Sequence, residues 1–187
     1  MKPSFWYWEN FITLDKIKLI NKNIFKKNLI KQPKELTAHN NNNVSKKNLQ
    51  CYLIQYGEIK NFISNYVECF INSNKYNFGF DIFSLTDSTI LSYNIYDSKI
   101  KADYDWHIDI SKDLITDFKL TCLINLSEKE FNGGDFILNS GNETNIQKFK
   151  NPGSMLMLRS NILHKVTPVI SGTRKTLTIF LEGPRLR

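Results

Sequence analysis

Two of the chain's three histidines stand where they could share one ion with a carboxylate: His107 and Asp109, two residues apart, and the distant His164. Residues i and i+2 of a strand point to the same side, so His107 and Asp109 can reach one metal. His164 has to arrive from another strand. Two imidazoles and one carboxylate on one face of an ion leave further positions open, a donor set that suits redox-active Fe(II). Ligation requires Asp109 ionised and both imidazoles neutral. Arg174 follows His164 by ten residues and opens the run Arg-Lys-Thr-Leu-Thr-Ile-Phe-Leu. As a strand, that run puts Arg174, Thr176, Thr178 and Phe180 on one face. An arginine turned into a barrel interior is costly unless an anion meets it. Its planar fork fits a carboxylate. A lone His-x-Asp is usually a surface dipeptide or a satisfied core histidine. Here Trp106 beside it, His164 and the spaced Arg174 shift the reading toward an iron site that holds an organic acid.

The elements that must position these residues are mostly short strands. Phe5–Trp8 reads as a short strand or an aromatic plug. Thr13 is a candidate N-cap, with Leu14, Ile17, Ile20, Ile24 and Phe25 at helical spacing behind it. Residues 37–48 are polar, with four consecutive asparagines at 40–43, and read as a loop or disordered insert that also holds His39. Residues 51–56 look extended, and a second helix carries Ile59, Phe62, Ile63, Tyr66, Val67 and Phe70 on one side. From Phe78 onward the runs 78–83, 89–96, 120–126, 135–139, 155–158, 165–170 and 176–181 are apolar or alternating, with Gly- and Pro-containing turns between them. Helices first and many short strands after predict an α+β chain whose functional half is an all-β sandwich or barrel.

Composition narrows the classes. A chain of 187 residues with 41% hydrophobic and 13% aromatic content supports one sizeable core. The net charge of +7 lies wholly within residues 1–60, which hold 11 lysines and 4 acids; residues 61–187 balance 14 cations against 14 acids. That distribution fits a solvated lysine-rich helix and loop better than a basic catalytic surface. Cys51, Cys69 and Cys122 have no CxxC spacing, so neither a disulfide framework nor a zinc site is indicated. Cys122 sits in an apolar run and reads as a core residue rather than a hydrolase nucleophile. No run has signal-peptide or membrane-span character, so a soluble, cytoplasmic, intracellular protein is expected.

From about Phe78 to Pro184 the chain resembles the prolyl-4-hydroxylase-like branch of the 2-oxoglutarate- and Fe(II)-dependent dioxygenases. The matching segments are Tyr104-Asp105-Trp106-His107-Ile108-Asp109, Asn132-Gly133-Gly134-Asp135, Pro152-Gly153-Ser154, His164-Lys165-Val166-Thr167-Pro168-Val169, Gly172-Thr173-Arg174 and Glu182-Gly183-Pro184. The resemblance implies a double-stranded β-helix, or jelly roll, over residues 78–187, supported by helices in residues 1–77, as one dioxygenase domain over 1–187. It implies His107, Asp109 and His164 as catalytic iron ligands. It implies Arg174 as the partner of the distal carboxylate of 2-oxoglutarate, with Tyr96 and Thr178 as further co-substrate contacts. Asp105 is a candidate support for the dyad, and the glycines are read as turns. Relatives often carry a glycine in the loop that here reads Asp97-Ser98-Lys99-Ile100-Lys101-Ala102-Asp103, which leaves inherited substrate identity open. The implied reaction consumes O2 and 2-oxoglutarate, releases succinate and CO2, and hydroxylates a protein or peptide residue such as proline, with ascorbate as an optional reductant. Two alternatives stay open. One is an oxygenase acting on nucleic acid or a small molecule, and the other a non-enzymatic jelly-roll module that binds a metal or ligand.

Overall fold

The computed structural model describes residues 2–27, 29–31, 39–40, 43–44, 47–111 and 115–185. In chain order its elements are β1 (Phe5–Trp8), α1 (Leu14–Ile24), β2 (Ile30–Lys31), β3 (His39–Asn40), β4 (Asn43–Val44), β5 (Lys47–Asn48), β6 (Gln50–Gln55), α2 (Tyr56–Ser73), β7 (Ile90–Asp97), β8 (Asp103–His107), β9 (Thr116–Asn125), β10 (Asn132–Gly133), β11 (Phe136–Asn139), β12 (Glu143–Asn145), β13 (Met155–Arg159), β14 (Leu163–Val166), β15 (Val169–Ser171) and β16 (Thr173–Pro184). Among the described residues the larger sheet runs β1-β13-β9-β16-β7-β6-β2, and a facing sheet runs β12-β11-β14-β8-β5. Neighbouring strands in both are antiparallel. This is the double-stranded β-helix, with helices added to one side.

Alternation along the central strands explains the layering. Leu177, Ile179 and Leu181 of β16, Leu91 and Tyr93 of β7, and Leu120, Cys122 and Ile124 of β9 join Ile17, Ile20, Ile24, Ile63 and Phe70 of the helices in one core. The opposite faces of the same strands look into the roll. There Tyr96 and Leu123 meet Leu156, Leu158, Phe136, Leu138 and Val166 in a second core. A strand with both faces covered reads as a continuous apolar run, as β9 does. Helix α1 is also held by a polar clasp. The Asn21 side chain donates to the Leu126 carbonyl at 2.9 Å and accepts from the Tyr93 hydroxyl at 2.9 Å.

Several expectations change. The run 78–83 is not a strand: Asn74–Phe78 forms a π-helical turn and Gly79–Phe83 has no regular structure. Gly79 caps that turn with φ +69°, a conformation glycine reaches without cost. The run 165–170 is two strands, β14 and β15, parted by Thr167-Pro168, because proline offers no N–H to a ladder. That split moves His164 into the middle of a strand. Thr13 precedes α1 but its hydroxyl makes no capping bond, and Leu14 and Phe25 are exposed rather than core residues. Phe5–Trp8 is a strand, paired with β13. Within the polar stretch 37–48, His39–Asn40 pairs with Asn43–Val44, and Lys47–Asn48 joins β8. The His39 side chain and residues 37–38, 41–42 and 45–46 lie outside the described residues.

Candidate metal centre and anion site

His107 closes β8 and His164 lies on β14; the two are direct partners in that antiparallel ladder. Asp109 lies just past the end of β8, so the same-strand argument holds only for His107. Its place is set instead by its own N–H, which donates to the Ser160 carbonyl at 2.9 Å. The ligand atoms of His107, Asp109 and His164 all lie within 4.8 Å of one another. Asp109 Oδ1 is 3.8 Å from His107 Nε2, and Oδ2 is 3.4 Å from His164 Nε2.

The ring nitrogens pointing away from this cluster are occupied. His107 Nδ1 lies 2.7 Å from the Asp105 carbonyl and His164 Nδ1 lies 2.8 Å from the Ile162 carbonyl. A carbonyl only accepts, so each Nδ1 carries the proton and each Nε2 presents its lone pair inward. Burial, then the neighbouring His164, push the His107 pKa down to about 4, so its imidazole is neutral at physiological pH. Asp105 contributes its carbonyl; its carboxylate instead accepts from the Trp106 N–H at 2.8 Å. Asp109 Oδ2 accepts from the Thr121 hydroxyl at 2.6 Å, and that hydroxyl lies 3.0 Å from Ser160 Oγ. Tyr104 stacks on His107 with ring centroids 3.5 Å apart, while Trp106 lies under the Lys165 ammonium at 4.3 Å. Two imidazole nitrogens and one carboxylate facing one point fit a first-row divalent ion with open positions.

Arg174 is only 2% exposed. Tyr96, its ladder partner on β7, carries its ring 4.8 Å from the guanidinium carbon, and Phe149 stands 5.6 Å away. Desolvation lowers the Arg174 pKa, opposed by the Tyr96 hydroxyl and by Asp135. Among the described residues no carboxylate reaches within 4.0 Å of that guanidinium, because Asp135 pairs with Lys150 at 3.2 Å. A buried cation without a counter-ion fits a pocket for an incoming acid. Gly134, read from sequence as a turn alone, has φ +62° and would set a Cβ 3.1 Å from Arg174 Cδ. It therefore also clears the path of the arginine stem. Thr178 is buried and accepts from the Asn94 amide at 3.1 Å.

A cavity of about 470 Å³ is lined by the 83–90 segment and by residues of β6, β7, β9 and β16, and none of the candidate metal or anion residues lines it. Phe118 and Phe180 stack at 4.2 Å in its wall. Phe180 is the ladder partner of Thr121, the residue that holds Asp109. Thr121, Ser160, Asn94 and Phe149 were not singled out in the sequence. For Thr121 a signal existed: it is a polar residue inside the apolar run 120–126, on the face that alternation turns into the roll.

Residues 91–182 match the model of the 2OG-Fe(II) oxygenase superfamily. A PKHD-type hydroxylase of Synechococcus sp. (strain CC9605) is 29% identical over 150 residues, which are 79% of this chain. The chain spans 64% of the length of that relative. A Pseudomonas putida prolyl-4-hydroxylase shares the fold with a TM-score of 0.68 at 15% identity, over 95% of this chain and 91% of that one. A Trichoplax adhaerens prolyl hydroxylase, solved with a peptide fragment of the hypoxia inducible factor oxygen degradation domain, gives 0.65 at 17% identity, over 95% and 83%. A viral collagen prolyl hydroxylase of Paramecium bursaria Chlorella virus-1, solved with 2-oxoglutarate, gives 0.64 at 17% identity, over 97% of each chain. No described helix is long and apolar enough to cross a membrane.

Proposed function

We propose that the chain is an Fe(II)- and 2-oxoglutarate-dependent oxygenase that hydroxylates a C–H bond of a protein or peptide residue, proline being the simplest case. The observation that carries this reading is the convergence of His107, Asp109 and His164 within 4.8 Å, in a roll whose interior also buries Arg174 with no carboxylate partner among the described residues. His107, Asp109 and His164 would hold the iron. Arg174, with Tyr96 beside it, would take the far carboxylate of the 2-oxo acid, and Thr178 would add a hydroxyl to the same wall. When bound, the ion and co-substrate supply the oxidising power: O2 and 2-oxoglutarate become succinate and CO2 as one C–H becomes C–OH.

The protein's own contribution is position and dryness. The carbonyls of Asp105 and Ile162 aim both imidazoles, and Thr121 holds the Asp109 carboxylate. Arg174 and Tyr96 sit in an interior that excludes water, which strengthens a charge-assisted pair with an arriving carboxylate. The peptide preference is supported by the prolyl hydroxylases that share the fold, one of them solved with a peptide fragment. Residues 1–77 would serve the 78–187 roll within one domain both as helical support, since α1 and α2 bury their apolar faces on the back of the larger sheet, and as strands, since β1, β2 and β6 extend that sheet and β5 the facing one.

The test is an anaerobic titration of Fe(II)-loaded protein with 2-oxoglutarate, following the metal-to-ligand charge-transfer absorption. A saturable band, lost in His107→Ala and weakened in Arg174→Ala, is expected. No band in the loaded wild type would leave a non-catalytic binding module as the reading to pursue.

A further inference from the structure

The cavity between the 83–90 segment and the larger sheet is lined by none of the metal or anion residues, yet its wall begins next to them. Ser92, in that wall, is the ladder partner of Thr178, and Phe180 is the partner of Thr121, whose hydroxyl holds Asp109. Paired strands lie about 4.8 Å apart, so the cavity starts one strand spacing from the support of the candidate metal centre. Its other wall is fixed. The Tyr56 and Gly57 N–H groups at the start of α2 donate to the carbonyls of Thr89 and Asp87 at 2.8 and 2.9 Å, and Lys60 pairs with Asp87 at 2.8 Å. A Cβ on Gly57 would meet Asp87 Cβ at 2.7 Å, so this approach needs glycine. The lining includes Phe83 and Ile90, which are 48% and 46% exposed. A preformed groove with large apolar side chains left in water is a place for a ligand.

A β-bulge decides what chemistry the groove offers. After the pairs Thr121 with Phe180 and Leu120 with Leu181, a regular register would set Lys119 opposite Glu182. Opposite residues share a face and sit close, so Lys119 would stand against the Glu182 carboxylate. The register instead shifts between Leu181 and Glu182, and Glu182 faces Phe118. Lys119 is the extra residue, and a bulge re-aims the side chains around it. Phe118 comes onto the face of Phe180, where the two rings stack at 4.2 Å with planes 6° apart. Lys119 reaches Asp117 at 3.5 Å, and Asp117 also stands 3.7 Å from Arg185. Glu182 accepts from the Thr116 hydroxyl at 3.2 Å, and among the described residues no cation comes within 4.0 Å of its carboxylate. Two aromatic rings and a carboxylate without a cation, in the lining of one cavity, suit an organic cation.

We infer that this cavity is a specificity pocket for a basic side chain of the substrate peptide: Glu182 pairs with a lysine or arginine near the residue that is hydroxylated, and the Phe118–Phe180 stack carries its stem. This rests on the proposed oxygenase reading and adds a substrate class to it, peptides with positive charge close to the target residue. The bulge is then a specificity device, since it exchanges an internal ion pair for a vacancy that only a cationic ligand fills.

The experiment measures binding without turnover. Fluorescent alanine peptides around one proline carry lysine, norleucine or glutamate at each neighbouring position in turn. They are titrated by anisotropy with the Fe(II)- and 2-oxoglutarate-loaded protein in the absence of O2. At one position or more, lysine should lower Kd about fivefold or more against norleucine, which has the same stem, and added salt should shrink that gap. Glu182→Gln, which keeps the size and an acceptor for Thr116, should erase the gap. Glu182→Lys should reverse it, so that glutamate peptides bind best; damage to folding would weaken all three peptides alike, and melting curves check for it. Phe180→Leu should cost the lysine peptide about threefold more than the norleucine peptide. If wild type gives the charge-transfer band with 2-oxoglutarate but binds lysine and norleucine peptides alike, or binds neither, or if the preference survives Glu182→Gln, the role assigned to the pocket is wrong and the oxygenase reading stands. If wild type gives no band, the reading beneath it has failed.

Discussion

Thr121→Val isolates a side-chain hydrogen bond that holds the carboxylate of the candidate metal centre. The substitution keeps the shape of a residue that is 1% exposed and exchanges its hydroxyl for a methyl. It removes a 2.6 Å bond to Asp109 Oδ2 and leaves Ser160 Oγ without its 3.0 Å neighbour. A hydrogen bond to a charged acceptor contributes about 1.5–3 kcal/mol. The Asp109 side chain is 13% exposed, so water recovers part of that, and about 1.5–2 kcal/mol is the reasonable loss. At about 1.4 kcal/mol per decade this is a 10- to 30-fold weaker metal site, in the range expected when a group supporting a ligand is removed. The assay is competition for Fe(II) against a chromophoric chelator under anaerobic conditions, with melting curves to verify folding. Thr121→Ser, which keeps the hydroxyl, should bind metal within about threefold of wild type although it loses a buried methyl worth about 0.8 kcal/mol of stability. Should Thr121→Val hold Fe(II) as tightly as wild type, the carboxylate is positioned by the backbone alone and the argument fails.

Three further outcomes are expected. Arg174→Met replaces a buried cation, with no carboxylate partner among the described residues, with an apolar chain of similar length. The ligand-free protein should melt at the same or a higher temperature, and 2-oxoglutarate, expected to raise the melting temperature of the wild type, should no longer do so. The His107 pKa, held near 4 when folded against about 6.5 unfolded, makes the unfolded state bind more protons between those values. Stability from this residue is therefore complete above pH ~6.5 and falls by about 3 kcal/mol as pH drops to ~4. Urea titrations of the metal-free protein at intervals across that range should show the slope, and His107→Gln should flatten it. Lys101 holds φ +48° in the turn before β8, a left-handed conformation that costs a side-chain-bearing residue about 1 kcal/mol. Lys101→Gly should gain about 0.5 kcal/mol in chemical denaturation, while Lys101→Val, with a branched Cβ, should lose at least 1 kcal/mol.

The parts of the fold legible in the sequence are those where burial on one or both faces writes a pattern into the strand. The alternation from Arg174 to Phe180 marked β16 and its inward face before any coordinates, and the apolar run 120–126 marked β9. The segment 78–83 misled because its aromatics satisfy a strand pattern locally, although the chain there turns out of a π-helical turn, is held by the Asn74 side chain on the Phe80 backbone at 2.8 and 3.0 Å, and is pinned to β16 by the Phe83 N–H, which donates to the Glu182 carbonyl at 2.7 Å. No property of 78–83 itself reveals that partner. The candidate site divides the same way. Metal-ligand types are rare and legible, so His107, Asp109, His164 and Arg174 stood out. Their supports did not, because a threonine or asparagine in a strand is ordinary until its partner is known. Those partners lie 12 residues away for Thr121 with Asp109 and 84 for Asn94 with Thr178. The geometry of Asp109 also departed from the simple i, i+2 picture, because the ladder ends at His107 and a contact with the Ser160 carbonyl takes over.

Both imidazoles are aimed by a carbonyl two positions upstream on their own chain, that of Asp105 for one and of Ile162 for the other. Every amino acid carries that carbonyl, so the direction of the rings does not depend on which side chains occupy positions 105 and 162. Those positions are free to vary in size and charge without re-aiming the ligands. Part of the surroundings of the centre can therefore drift under selection for new substrates while the imidazoles keep their bearing, which makes such a roll a forgiving scaffold for acquiring specificity.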